Sequence, residues 1–271
     1  MNVELLEINP EIFNKIKEFE QESNISPDKL IILDYGCGSG RAILALRLLG
    51  YQSYGVDIDK KAIVEGKNLL REHGFDGESL LLSCEENKPI PYPDGMFKFI
   101  FSQEVLEHVS DLSSMSSEIR RVSAPGSKSF HVFRPQFTFM EQHFFMPLVH
   151  WLPKNNIRRL LIMTFSYLGV GMRPPEIPNA GPFERAEFIY NYSINKTFYR
   201  PYKDIGSAFV DKGFMVSYPA TDHRKIKKSQ ALSAMLHVDI INSLFVWLIS
   251  TFIHGYIMTT TPGDVRQKTD F

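Results

Sequence analysis

Three alternating glycines stand in Asp34-Tyr35-Gly36-Cys37-Gly38-Ser39-Gly40, and Asp57 closes the next apolar run. A glycine has no Cβ, so backbone amides there approach a ligand without a clash. The spacing departs from the dinucleotide pattern G-x-G-x-x-G, because Arg41 follows and the third glycine comes one residue early. That argues against a pyrophosphate cradle and for a smaller ligand over the loop. An acid placed like Asp57 accepts hydrogen bonds from ribose hydroxyls. Asp59, immediately before KKAIVEG, is the better helix cap, which leaves Asp57 free for ligand work.

Such a loop needs a strand before it and a helix after it. KLIILDYG (29–36) reads as a buried strand and RAILALRLLG (41–50) as a helix closed by glycine. The alternation continues with strand 51–59, helix 60–74, strand 79–84, a turn-rich loop, strand 96–103, one or two helices in 104–126, and strand 127–135. Strands alternating with helices in this way imply a parallel sheet covered on both faces. A leading helix is expected over 3–22, a helix over 201–214, and closing strands at 214–220 and 255–262 with a helix near 229–253 between them. Residues 134–200 differ: aromatics are dense, prolines cluster in RPPEIPNAGPF, and Lys and Arg outnumber Asp and Glu. That segment reads as an insertion folded over something apolar. The expected organisation is an N-terminal helix (1–28), a core (29–135), an aromatic and basic cover (136–200) and a C-terminal completion of the sheet (201–271).

Hydrophobic residues make up 44% and charged residues 23% of the 271 residues, an ordinary globular balance. The 30 Lys and Arg against 31 Asp and Glu give a net charge of −1 and exclude a bulk nucleic-acid binder. Two cysteines, Cys37 and Cys84, cannot build a disulfide framework. No His/Cys cluster has zinc spacing, so no metal is expected. The N-terminus is mixed in charge and has no signal-peptide core, which together with the cysteines points to a cytoplasmic setting.

Taken together, LDYGCGSGR, YGVDID, PYPDGMFKFIFSQEVLEHVSD and RRVSAPGS resemble the class I S-adenosylmethionine-dependent methyltransferase family, in the style of its quinone-biosynthesis and small-molecule members. The resemblance covers about residues 29–135. It implies a Rossmann-like, doubly wound, mainly parallel seven-stranded α/β sheet, with the aromatic-rich insertion after the fifth strand. It also implies S-adenosyl-L-methionine as cofactor. Asp34 and the loop Gly36, Cys37, Gly38 and Gly40 would meet its amino-acid part, Asp57 both ribose hydroxyls, and Ile58 the adenine. Glu85 or Glu86 would meet the adenine amine, Gln103 would lie beside the methionine portion, Leu106 would line the floor, and Glu107-His108 matches the usual EH pair. The sequence departs from the family at Phe97-Lys98, at Pro125-Gly126-Ser127 and at Ser83-Cys84-Glu85.

Methyl transfer to a high-pKa oxygen needs a general base as well as orientation. His108 follows the fourth strand at the carboxyl edge, and Glu141 and His143 open the insertion beyond the fifth. These three are the catalytic candidates. His131, inside the fifth strand, reads as a core histidine. FTFMEQHFFMPLVHW (137–151) is either a wall for a ring or lipid acceptor or simple packing. The expected partner is a small-molecule acceptor, with an oxygen of a sugar, glycolipid or secondary metabolite first. Carbon methylation of a quinone-like ring and a non-catalytic cofactor-binding subunit are the alternatives. Peripheral membrane contact is considered for two apolar stretches, 155–169 and 240–258. The first has a basic start that would suit an anionic surface; the second reads equally well as a buried helix followed by a strand.

Overall fold

The computed structural model describes residues 8–219, 239–253 and 255–263. The first helix, α1 (Pro10–Ser23), starts behind Asn9, whose side chain accepts from the Glu11 amide. Then come β1 (Ile31–Tyr35), α2 (Arg41–Leu48), β2 (Gln52–Asp57), α3 (Lys60–Glu72), the single turn α4 (Gly77–Leu80), β3 (Leu81–Ser83), β4 (Phe97–Gln103), α5 (Leu112–Val122) and β5 (Ser123–Phe133). A small hairpin, β6 (Met140–Glu141) and β7 (Met146–Pro147), leads to α6 (Asn156–Tyr167) and α7 (Pro182–Asn195). The chain returns to the sheet through α8 (Tyr202–Val210), β8 (Met215–Ser217), α9 (Asp239–Phe252) and β9 (Gly255–Thr260).

The main sheet has seven strands in the order β3-β2-β1-β4-β5-β9-β8. Its neighbours run parallel from β3 to β5, and β9 is antiparallel to both β5 and β8. The order reverses between β1 and β4, so ligands belong at the carboxyl ends of those strands. Apolar runs make the central strands because both faces are covered. On one face, Leu33, Phe97, Ile100 and Phe133 meet Met115 and Ile119 of α5 and Ile205 and Phe209 of α8. On the other, Ile32, Phe99, Phe101, Phe130 and Val132 meet Ile12, Ile16 and Phe19, the buried stripe of α1. The seven-stranded doubly wound sheet is as the sequence implies.

Several details differ from expectation. The helix sought in 104–126 begins only at Leu112, because the Asp111 carboxylate accepts from the Ser113 and Ser114 amides at 2.9 and 3.0 Å. Residues 104–111 therefore remain a turn that holds Glu107 and His108 at the sheet edge. The fifth strand starts earlier than expected, at Ser123. The segment after β5 has its own apolar core of Phe144, Met146, Val149, Ile162, Ala186 and Ile189. Its arginines are not a free basic face. Arg158 is buried and donates from Nε to the Leu152 carbonyl, and Arg159 pairs with Glu187 at 2.7 Å. The 240–258 stretch is a helix followed by a strand, yet α9 is only partly buried: Ile249 and Ser250 are buried, whereas Leu244, Trp247, Leu248 and Phe252 are exposed, as is Ile253 just after it. No described helix is long and apolar enough to cross a membrane. Residues 3–7 of the leading helix and the start of the helix expected from 229 lie outside the described residues.

Candidate active site

The glycine loop joins β1 to α2. The Gly36 and Cys37 amides both donate to the Val56 carbonyl, at 2.9 and 3.0 Å, and this locks the loop onto β2. The three glycines do different work. A Cβ on Gly36 would sit 2.3 Å from Val105 Cγ2, and one on Gly40 would sit 2.6 Å from Leu81 Cδ1. Only Gly38, at φ +51°, faces open space. Contacts within the protein itself forbid side chains at 36 and 40, whereas a Cβ at 38 would meet nothing within 4 Å.

Asp57 is less free than its sequence position suggests. Its Oδ2 accepts from the Gly38 amide at 2.7 Å and its Oδ1 from the Asp59 amide at 2.8 Å. Asp59 caps α3 as expected, accepting from the Lys61 and Ala62 amides. Asp57 thus braces the loop, while each carboxylate oxygen keeps lone-pair capacity for a further donor. Asp34 is 5% exposed, and burial followed by the charge of Asp57 pushes its carboxyl well above the usual range. Burial likewise pushes the Cys37 thiol far up, so this cysteine is a packing group beside Gly55.

The remaining cofactor candidates separate. Ile58 is exposed beyond β2, and Gln103 is exposed at the end of β4. Glu85 and Glu86 are exposed after β3, and Glu86 accepts from the Ser110 hydroxyl. Leu106 is wholly buried within the sheet's core, so it has no surface with which to line a floor. It anchors the 104–108 turn, whose Val105 presses on Gly36.

The three catalytic candidates come together. Glu141 is 2% exposed and accepts from three groups: His143 Nδ1 at 2.7 Å, the Tyr199 hydroxyl at 2.5 Å and the Phe144 amide at 2.8 Å. Burial alone would raise Glu141, but these bonds outweigh it and hold the carboxyl below its usual range. Burial opposes charge on His143 too, yet its bond to Glu141 lifts its pKa. His143 Nε2 then faces His108 Nε2 at 3.1 Å, and His108 Nδ1 donates to the Lys196 carbonyl at 2.6 Å. Burial, and then the facing His143, lower His108. Beside them Glu107 is 2% exposed with no hydrogen-bond partner for either carboxylate oxygen among the described residues, and burial raises it to about 7. His131 is the core residue expected, wedged between the Ser102 and Ser129 hydroxyls and stacked on Phe209.

Sequence reasoning missed Tyr199, which arrives from a segment with no periodic signal, and the isolation of Glu107, known only as half of an EH pair. The aromatic stretch divides: Phe144 is buried in the insertion's core, whereas Phe139 and Phe145 are exposed.

With this geometry in view, residues 33–130 match the family model described as a methyltransferase domain. The ubiquinone biosynthesis O-methyltransferase of Thiobacillus denitrificans is 32% identical over 99 residues, 36% of this chain and 42% of that protein. The norajmaline N-methyltransferase of Rauvolfia serpentina is 28% identical over 97 residues, 35% of this chain and 33% of that protein. The chain thus matches less than half the length of these curated relatives. Among solved structures, the YcgJ protein of Bacillus subtilis has a TM-score of 0.51 at 14% identity, covering 93% of this chain and 98% of that one. That likeness concerns the fold.

Proposed function

Since the chain, through residues 33–130, belongs to the class I S-adenosylmethionine-dependent methyltransferase family, we propose that it transfers the methyl group of S-adenosylmethionine to a hydroxyl oxygen of a small molecule. The observation that carries the choice of oxygen is the Glu141–His143–His108 chain at the carboxyl edge of the sheet. An amine or an activated carbon needs orientation alone, whereas a hydroxyl must lose a proton.

In this reading the cofactor lies over the glycine loop. Asp57 receives the ribose hydroxyls, Asp34 faces the charged amino-acid end, and Ile58 covers the adenine. Gln103 stands at the methionine end. The acceptor enters from the insertion side, bounded by Tyr192 and Tyr199, which ring the histidines. The acceptor oxygen attacks the sulfonium methyl in line. The new O–C bond forms as the C–S bond breaks, leaving S-adenosylhomocysteine, and the hydroxyl proton passes into the gap between the two Nε2 atoms. Glu141 supports the charge that then appears on His143, while Tyr199 holds Glu141.

The test is transfer of a labelled methyl group to a panel of phenols, sugars, glycolipids and amines. Label is expected on a hydroxyl acceptor, with His143→Ala and Glu141→Gln losing turnover while still binding S-adenosylhomocysteine. Turnover undiminished in both variants would instead favour a carbon acceptor such as a quinone-like ring. Binding of the cofactor without turnover on any acceptor would favour a partner subunit.

A further inference from the structure

We propose that Glu107, His108 and His143 form a binding site for a first-row divalent transition-metal ion, Zn2+ being the reference probe. The three ligand atoms, one carboxylate oxygen and two imidazole nitrogens, lie within 4.8 Å of one another. The inference rests on the methyl-transfer reading only for its use, since the ion's open positions would take the acceptor oxygen.

Hydrogen-bond bookkeeping leads to it. His143 Nδ1 faces a carboxylate oxygen of Glu141, and His108 Nδ1 faces the carbonyl oxygen of Lys196. Both partners accept, so both Nδ1 atoms carry the hydrogen. The two Nε2 atoms are then bare, and they lie 3.1 Å apart. Two lone pairs repel at that distance unless something positive lies between them or beside them.

A shared proton would settle the imidazoles and nothing else. It would leave both oxygens of the buried Glu107 without a partner. A cation satisfies all three groups at once. With metal–nitrogen bonds of about 2.0–2.1 Å, nitrogens 3.1 Å apart subtend roughly 100° at the ion, within reach of tetrahedral or octahedral geometry. The Glu107 carboxylate, within 4.8 Å of both nitrogens, supplies the third ligand atom. Two imidazoles and one carboxylate suit zinc, iron, cobalt or manganese better than magnesium or calcium.

The surroundings are those of ligating histidines. One imidazole donates its other N–H to a carboxylate and the other donates to a main-chain carbonyl, as metal-bound histidines do. The ligands escape a sequence-spacing search because Glu107 and His108 come from the turn after β4 and His143 from the hairpin turn beyond β5. With the ion bound, coordination raises the acidity of an acceptor hydroxyl, so the ion and the shared proton are alternative occupants of one gap.

The full chain, stripped with a chelator, is titrated with Zn2+ by calorimetry and with Co2+ by visible absorption. One equivalent is expected to bind, with Co2+ ligand-field bands that grow in step with it and saturate at that ratio. Glu107→Gln and His108→Asn should each weaken binding at least tenfold while S-adenosylhomocysteine binding and thermal midpoint show the variants folded. Asp57→Ala should leave ion affinity unchanged. A wild type that binds S-adenosylmethionine but no ion, or variants that bind the ion as the wild type does, would overturn the site. Ion binding by a protein that binds neither cofactor form would support the site and remove the methyl-transfer reading.

Discussion

At the scale of single residues, charge placement decides more than residue type. Asp34 and Asp57 are both expected from the sequence to meet a ligand, and the structure gives them different surroundings. Asp57 is partly buried and already accepts two amides, while Asp34 is buried beside it with its carboxyl held toward the protonated form. A ligand that brings a positive charge to Asp34 favours its ionised form. Cofactor binding should therefore release a proton wherever the pH lies below the raised pKa, and affinity should climb with pH through that pKa and level off above it. Calorimetry of S-adenosylmethionine binding in buffers of different ionisation enthalpy measures the release directly; a buffer-independent heat would contradict it. Tyr199 is the residue that no sequence signal revealed, because contact with Glu141 requires a chain return of 58 positions. Tyr199→Phe removes one of three donors to that carboxylate. Turnover should fall roughly tenfold, the equivalent of about 1.4 kcal/mol, with cofactor affinity unchanged. Equal losses in both would show that Tyr199 only holds the fold.

At the scale of elements, the strand–loop–helix unit and the parallel sheet followed from pattern, since parallel strands buried on both faces read as apolar runs, whereas the strand order came only with the structure. The turn 104–111 did not follow from pattern either. The left-handed backbone at Glu104 (φ +56°) and the capping of α5 by Asp111 together keep Glu107 and His108 out of a helix. The glycine loop gives a sharper case. At Gly36 an added methyl meets Val105 at 2.3 Å, and at Gly38 it meets nothing. Gly36→Ala should lower the thermal midpoint strongly. Gly38→Ala should cost only the left-handed backbone penalty, about 1–2 kcal/mol, while weakening cofactor binding out of proportion to stability. Equal stability losses in the two variants would refute this division of labour. In the insertion, a basic and apolar helix was legible in 155–169, but its arginines serve internal carbonyls and Glu187. Composition alone carries no information about such partners.

At the scale of the whole molecule, the sheet is tied together by a buried polar centre. His131 sits between the Ser102 and Ser129 hydroxyls on β4 and β5, and burial lowers its pKa to about 3. The unfolded chain takes up a proton at this histidine below its ordinary pKa of about 6.5, and the folded chain does not until far lower pH. Stability is therefore whole above about 6.5 and falls as pH drops toward 3, by up to about 2 kcal/mol at pH 5 from this group alone. Thermal midpoints across that range should fall, and His131→Gln should flatten the slope while lowering the plateau; an unchanged slope would assign the acid sensitivity elsewhere. The sequence pattern placed His131 in the core, with Ser129 two residues earlier on the same strand, but could not foresee Ser102, which arrives from the register of β4 with β5. The account as a whole stands on the loop and Asp57 holding S-adenosylmethionine. The decisive measurement is calorimetric titration of the wild type and Asp57→Ala with S-adenosylmethionine and S-adenosylhomocysteine. The expected result is saturable binding of both in the micromolar range, lost in a variant that remains folded. Absence of binding to either, or equal affinity in the variant, would contradict the account at its centre.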